Sequence, residues 1–167
     1  MATGTILLPI LGAMGDPSNP PSLVFTTTNN RPYLAFDGAG AVEACVWSFR
    51  MPENYASAPV AKIQWSGSSS TTISHTCQWS VFVMALTANT DGAADAESFA
   101  AENVASDDIL GTTAKRIQEV SVTLTNADSA AANDYVSIQL LRDSTDAADD
   151  LAEDAWLWAI SLEYTTT

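Results

Sequence analysis

The chain offers few residues that could do covalent chemistry. Its one histidine, His75, ends the polar run GSSSTTISH and opens a strand-like segment. A serine nucleophile on a strand-to-helix elbow needs G-x-S-x-G, which is absent, so the run reads as a polar turn leading into a strand. Carboxylates are plentiful, twenty Asp and Glu in all, and two acids across a cleft suffice for glycoside hydrolysis. Only Glu43, Glu119 and Glu163 fall inside strand-like runs, where each alternates with core candidates and reads as solvent-facing. No motif specifies a catalytic set, and the sequence predicts a protein that is not an enzyme.

The densest acidic cluster is 143–154 (DSTDAADDLAED). A hard cation such as calcium wants six to eight oxygens, but EF-hand spacing fails here: Thr145 and Ala147 follow Asp143 at the alternate positions, and no glycine comes after. The expected form is a solvated loop with one helical turn over 147–155, and calcium stays open as the alternative. Cys45 and Cys77 stand in separate strand-like runs, not as a closely spaced pair of zinc ligands. They read as small buried hydrophobes, or as a disulfide if they face one another. No metal or cofactor is expected. Of the aromatic residues, Trp47, Trp65, Trp79, Trp156 and Trp158 all lie in alternating segments. Burial between sheets or at a subunit interface is their expected role, with stacking on sugar rings as the alternative.

Charge narrows the partners. The net charge is −14, and the six cations (Arg31, Arg50, Lys62, Lys115, Arg116, Arg142) are scattered along the chain. Without a basic stripe, direct nucleic-acid binding is disfavoured. An acidic surface instead keeps copies soluble and apart at high concentration. The first thirty residues hold no Lys or Arg, so the positive start of a signal peptide is missing. The apolar run 5–11 is too short to span a bilayer and contains Pro9. The expectation is a soluble protein made in the cytoplasm, with no membrane partner.

The elements that must position these residues are strands. At 167 residues the chain has the length of one domain, and 47% apolar residues supply a core. Residues 1–31 differ from the rest: Pro9, Pro17, Pro20 and Pro21 interrupt apolar patches, which forbids both a helix and a central strand. They predict an extended arm with short strands at 6–10 and 23–27, lying on its own barrel or on a neighbouring subunit. From residue 32 the period is two. Strands are expected at 33–37, 42–50, 60–66, 75–87, 117–125, 135–142 and 155–164, with an irregular one at 102–106. Cys45, Trp47 and Phe49 share a face, as do Ile63 and Trp65, and Cys77, Trp79, Val81 and Val83. In the last strand Trp156, Trp158, Ile160, Leu162 and Tyr164 are expected on one face, opposite Ala155, Leu157, Ala159, Ser161 and Glu163. About eight strands in this spacing predict an all-β, single-domain, jelly-roll-like β-sandwich over 32–167, with the immunoglobulin-like sandwich as competitor.

The stretch Tyr135-Val-Ser-Ile-Gln-Leu-Leu-Arg142-Asp143, the acidic loop through Asp149-Asp150-Leu151, Asp154-Ala-Trp-Leu and Leu162-Glu163-Tyr164 resembles small jelly-roll proteins of tailed-bacteriophage particles. Leu34-Ala-Phe36-Asp37 and Val46-Trp-Ser-Phe49-Arg50-Met-Pro52 are similar to that group's opening strands, so the resemblance covers about 130 residues from Tyr33 onward. It implies a capsid decoration (cement) protein on the outside of the virion. Such a protein would bridge capsomers as a homotrimer and bind the major capsid protein and copies of itself. In that reading the arm makes the contact through Ile6, Leu7, Leu8, Ile10, Leu11, Leu23, Val24 and Phe25, and deleting residues 2–28 leaves the sandwich folded. The alternative is a tail- or fibre-associated domain that binds host glycans. A secreted carbohydrate-binding module is the third reading.

Overall fold

Strand β9 (Gln118–Thr123) alternates buried and exposed at every position, as a strand with one face on a core must. The same rule builds the rest of the computed structural model, which describes residues 2–40 and 42–167. Strands β4 (Pro32–Phe36), β6 (Tyr55–Gly67), β9 and β11 (Ala155–Thr166) form one antiparallel sheet in the order β4-β11-β6-β9. Strands β5 (Val42–Arg50), β7 (Thr76–Leu86), β8 (Asn103–Asp108) and β10 (Tyr135–Asp143) form the second in the order β5-β10-β7-β8. Successive strands mostly change sheet, which is the jelly-roll order. Between the sheets lie Phe36, Cys45, Trp47, Ile63, Trp65, Cys77, Trp79, Val81, Val136, Ile138, Leu140 and Leu157, all nearly inaccessible. Cys45 and Cys77 are free, and burial pushes both thiols up, far from reactive thiolates.

Residues 2–31 lie on the protein's own sandwich, the first of the two positions expected for the arm. Strand β1 (Thr3–Leu8) pairs with β11 from Thr3↔Thr165 to Leu8↔Ile160, while β2 (Met14–Gly15) joins β5 and β3 (Ser22–Phe25) joins β4. Three short strands thus extend both sheets at positions where the proline-rich sequence between them costs no ladder bonds. Leu8 and Ile10 are buried in the protein's own core, and Pro9 O accepts the indole N–H of Trp47 at 2.8 Å. Two of the expected partner contacts are therefore core residues, and removing residues 2–28 would open the sandwich instead of leaving it intact. Leu8→Ala is expected to lower stability by about 2–3 kcal/mol. Leu7→Ala, at a side chain 77% exposed, should leave the urea midpoint within error.

The connection from β10 to β11 holds no helical turn. Its acids instead capture nearby donors: Asp146 accepts from Ala148 N, Asp150 from Thr76 N, and Asp143 from Thr145 N and the Thr145 hydroxyl. Arg142 sits on the core face of β10 in register with Val136, Ile138 and Leu140, not on the surface. Its side chain and that of Asp149 are fully buried as an ion pair at 2.9 Å. Among the described residues no group of His, Cys, Asp and Glu is assembled to hold a metal.

Glu153 ties the same connection to the β6–β7 turn. It accepts from Ser69 N at 2.8 Å, Ser70 N at 2.6 Å and the Ser68 and Ser69 hydroxyls. Burial pushes its carboxyl up, but the serine donors outweigh this and hold it below the usual carboxylate value. A depressed folded-state pKa contributes stability that is present above the unfolded value and lost as pH falls through the folded one. Glu153→Gln is therefore expected to cost about 1 kcal/mol at pH 7. That gap should close as urea midpoints are followed down through the acid range.

Candidate functional site

The outer face of the six-stranded sheet carries a cluster of aromatic side chains with two partly exposed indoles, and a backbone irregularity creates it. In β11, Ala155 and Leu157 point into the core. Opposite them β6 runs Gly67 and Trp65, but the next pair is Ala159↔Gln64, so Trp158 is an extra residue in the ladder. A β-bulge of this kind switches the faces of everything beyond it. Ile160, Leu162 and Tyr164 consequently turn inward while Trp156 and Trp158 remain outside, partly exposed. The expectation that all five aromatic and aliphatic residues share one face is corrected on this point.

Tyr33 of β4 forms the floor between the two indoles, 4.4 Å from Trp156 and 4.9 Å from Trp158 by ring centroid. The indoles themselves are 5.9 Å apart and inclined at 72°. Trp158 is fixed by its N–H, which donates to Ser66 Oγ at 2.9 Å, and Ser66 is itself fully buried. The Tyr33 hydroxyl titrates above its ordinary value, first through burial and then through the nearby Asp154 charge. A bent aromatic surface with one side chain locked by a buried hydrogen bond is a preorganised apolar platform.

Two walls make a groove of it. One is the β3–β4 turn, residues 26–31, which is closed by Thr26 N to Arg31 O at 2.9 Å, Asn30 N to Thr26 O at 3.0 Å and Arg31 N to Thr26 Oγ1 at 2.9 Å. Asn30 takes the left-handed conformation that turn requires. The other wall is the segment entering β9, where Lys115 places its ammonium 4.9 Å from the Trp156 ring centre. Between them lies a cavity of about 490 Å³ lined by Phe25, Asn29, Arg31, Tyr33, Lys115, Ile117 and both indoles. A second of about 480 Å³ continues past Trp158, along Ile10, Leu11, Gln64 and Ala159. These volumes suit a small chain-like ligand.

The residues singled out from sequence divide around this groove. Val24 and Phe25 line its first part and Ile10 and Leu11 its second, while Leu23 faces a smaller neighbouring cavity with Ile10 and Leu11. Ile6, Leu7 and Leu8 lie along β1, outside it. Trp47, Trp65 and Trp79 are core residues. Trp65 donates to Asp107 Oδ2 at 2.8 Å, while Trp79 Nε1 is buried without a hydrogen-bond partner among the described residues. Sequence reasoning did not find Tyr33, Lys115 or Ile117, because only strand pairing brings them beside Trp156. The polar run before β7 does contain a Ser70–His75 hydrogen bond of 3.2 Å. Glu153 engages the serine backbone there and makes no bond with the imidazole, so the cluster lacks the oriented base of a nucleophilic triad.

No family model and no curated protein matches the chain. Solved structures do. It is similar to the xylan-binding module CBM15, with a TM-score of 0.53 and 14% identity over 99% of each chain. It is also similar to a native family 35 carbohydrate-binding module from Clostridium thermocellum, with a TM-score of 0.50 and 10% identity over 95% of this chain and 97% of that one. At such identities the likeness is one of fold: this is a β-sandwich of the kind found in carbohydrate-binding modules.

Proposed function

We propose that the chain is a glycan-binding module whose ligand lies in the groove on the six-stranded sheet, and that it does no chemistry on that ligand. The observation that carries this reading is the bulge at Trp158, which keeps two tryptophans on the solvent side of a strand whose neighbours are core. Pyranose rings present flat patches of C–H groups, and indole faces cover such patches without demanding a particular hydroxyl pattern. Two inclined indoles over a tyrosine floor suit consecutive sugars of a chain whose rings are rotated relative to one another. The fold shared with a xylan-binding module supports the reading by analogy. Native affinity electrophoresis through gels containing soluble polysaccharides (xylan, mixed-linked glucan, galactan, polyuronates) tests it. Retardation by at least one is expected, and free migration in all of them would sink the proposal.

Capsid decoration is the second reading, and one observation favours it: Leu7, Leu11 and Met14 are exposed apolar side chains on the N-terminal segment. A shell component would be present at about one copy per major capsid protein in purified particles, by quantitative mass spectrometry. A tail or fibre position for a glycan-binding module would give only a handful.

A further inference from the structure

We infer that the groove is selective for acidic glycans, with Arg31 and Lys115 engaging a carboxylate or sulfate carried on the sugar chain. This rests on the glycan-binding reading above and adds the charge class of the ligand. The chain has twenty acids and six cations, yet neither part of the groove is lined by a single Asp or Glu. Two of the six cations line it instead, Arg31 from one wall and Lys115 from the other.

Neither is neutralised by a carboxylate. Lys62 and Arg142 have carboxylate partners and Arg50 donates to Asn133 O, whereas Arg31, Lys115 and Arg116 have no ion-pair partner among the described residues. Arg31 and Lys115 are the two of these that line the groove. Lys115 also holds a left-handed backbone conformation, φ 62°, which is uncommon for a lysine, and its side chain reaches over Trp156. Asp154 acts on Tyr33 from nearby, and Glu119 accepts from Gln64, but neither carboxylate lines the groove. The guanidinium offers a planar fork that fits a carboxylate or sulfate, and the ammonium a compact charge beside the stacking surface.

Isothermal titration with matched pairs tests the inference: polygalacturonate against its carboxyl-reduced form, and a sulfated galactan against its desulfated form. The acidic member of at least one pair should bind about tenfold more tightly, and the pair that discriminates identifies the anionic group. Arg31→Ala/Lys115→Ala removes two exposed side chains, so it should fold, and its ratio of affinities for the acidic over the neutral member should fall to about one. Equal or tighter binding of both neutral members, abolished by Trp156→Ala/Trp158→Ala, would overturn the charge selectivity and leave the glycan reading standing. No binding to any of the four by a protein that xylan or mixed-linked glucan retards would overturn the charge selectivity alone; free migration through every gel as well would overturn both. A preference for the acidic member that survives in the Arg31/Lys115 variant would overturn the role of these two cations.

Discussion

Replacing Trp156 and Trp158 together by alanine is expected to abolish retention by polysaccharide while the sandwich stays folded. Each indole alone, as a rigid aromatic anchor in a largely desolvated groove, should cost about 2 kcal/mol or more of binding, roughly thirtyfold in affinity. The two losses will not simply add. The rings are 5.9 Å apart and share Tyr33 as a neighbour, and residues in contact couple. Stability should respond far less. Both side chains lie outside the core, and the main casualty is the Trp158 hydrogen bond to Ser66, a loss of about 1–3 kcal/mol including the stranded hydroxyl. Trp65→Ala is the contrast, since it hollows the core beside Trp79 and should lower stability by about 3–5 kcal/mol. Affinity electrophoresis and thermal unfolding on the same preparations separate the two effects. A folded double variant that still binds as tightly as the wild type would remove the aromatic platform from the mechanism.

The parts of this molecule legible in its sequence are those set by period-two alternation. Cys45, Trp47 and Phe49, or Ile63 and Trp65, fall on core faces because an uninterrupted strand gives side chains no other choice. The spacing of such runs was enough for the sandwich and its jelly-roll order. The binding face was not legible, because it depends on the exception. A one-residue bulge at Trp158 leaves no mark in composition, neither a glycine nor a proline, yet it reverses every residue that follows. The N-terminal prolines correctly excluded a central strand. Edge strands tolerate them, however: the short strands expected at 6–10 and 23–27 pair with β11 and β4, and a third that was not expected, β2, joins β5. Alanine and acidic residues at 147–155 favour a helical turn locally, but buried Arg142 and the backbone donors around it hold that stretch extended and irregular. The charge on Arg142 hid a plain periodic signal: Val136, Ile138, Leu140 and Arg142 are evenly spaced by two.

Substituting Arg142 by methionine should damage stability as much as hollowing the core at Trp65, with an expected loss of about 3–5 kcal/mol. The guanidinium meets Asp149 through two bonds of 2.9 Å and donates further to the carbonyls of Phe36, Leu151 and Glu153. Asp149 in turn accepts from the backbone N–H groups of Gln78 and Leu151. One side chain thus joins β4, β7, β10 and the whole 143–154 connection at the point where the chain enters β11 and its tryptophans. Removing it strands a fully buried carboxylate and three carbonyls. Taking Asp149 away as well, in Arg142→Met/Asp149→Leu, removes the unpaired charge and should recover part of the loss. It cannot recover all of it, because the three carbonyls still lack a donor. A double-mutant cycle followed by urea unfolding measures the coupling directly. In the single variant the connection should open locally before the sheets do, so limited proteolysis is expected to cut first within 143–154. A single variant with unchanged midpoint and no new cleavage there would mean that the buried pair contributes specificity of structure and not stability.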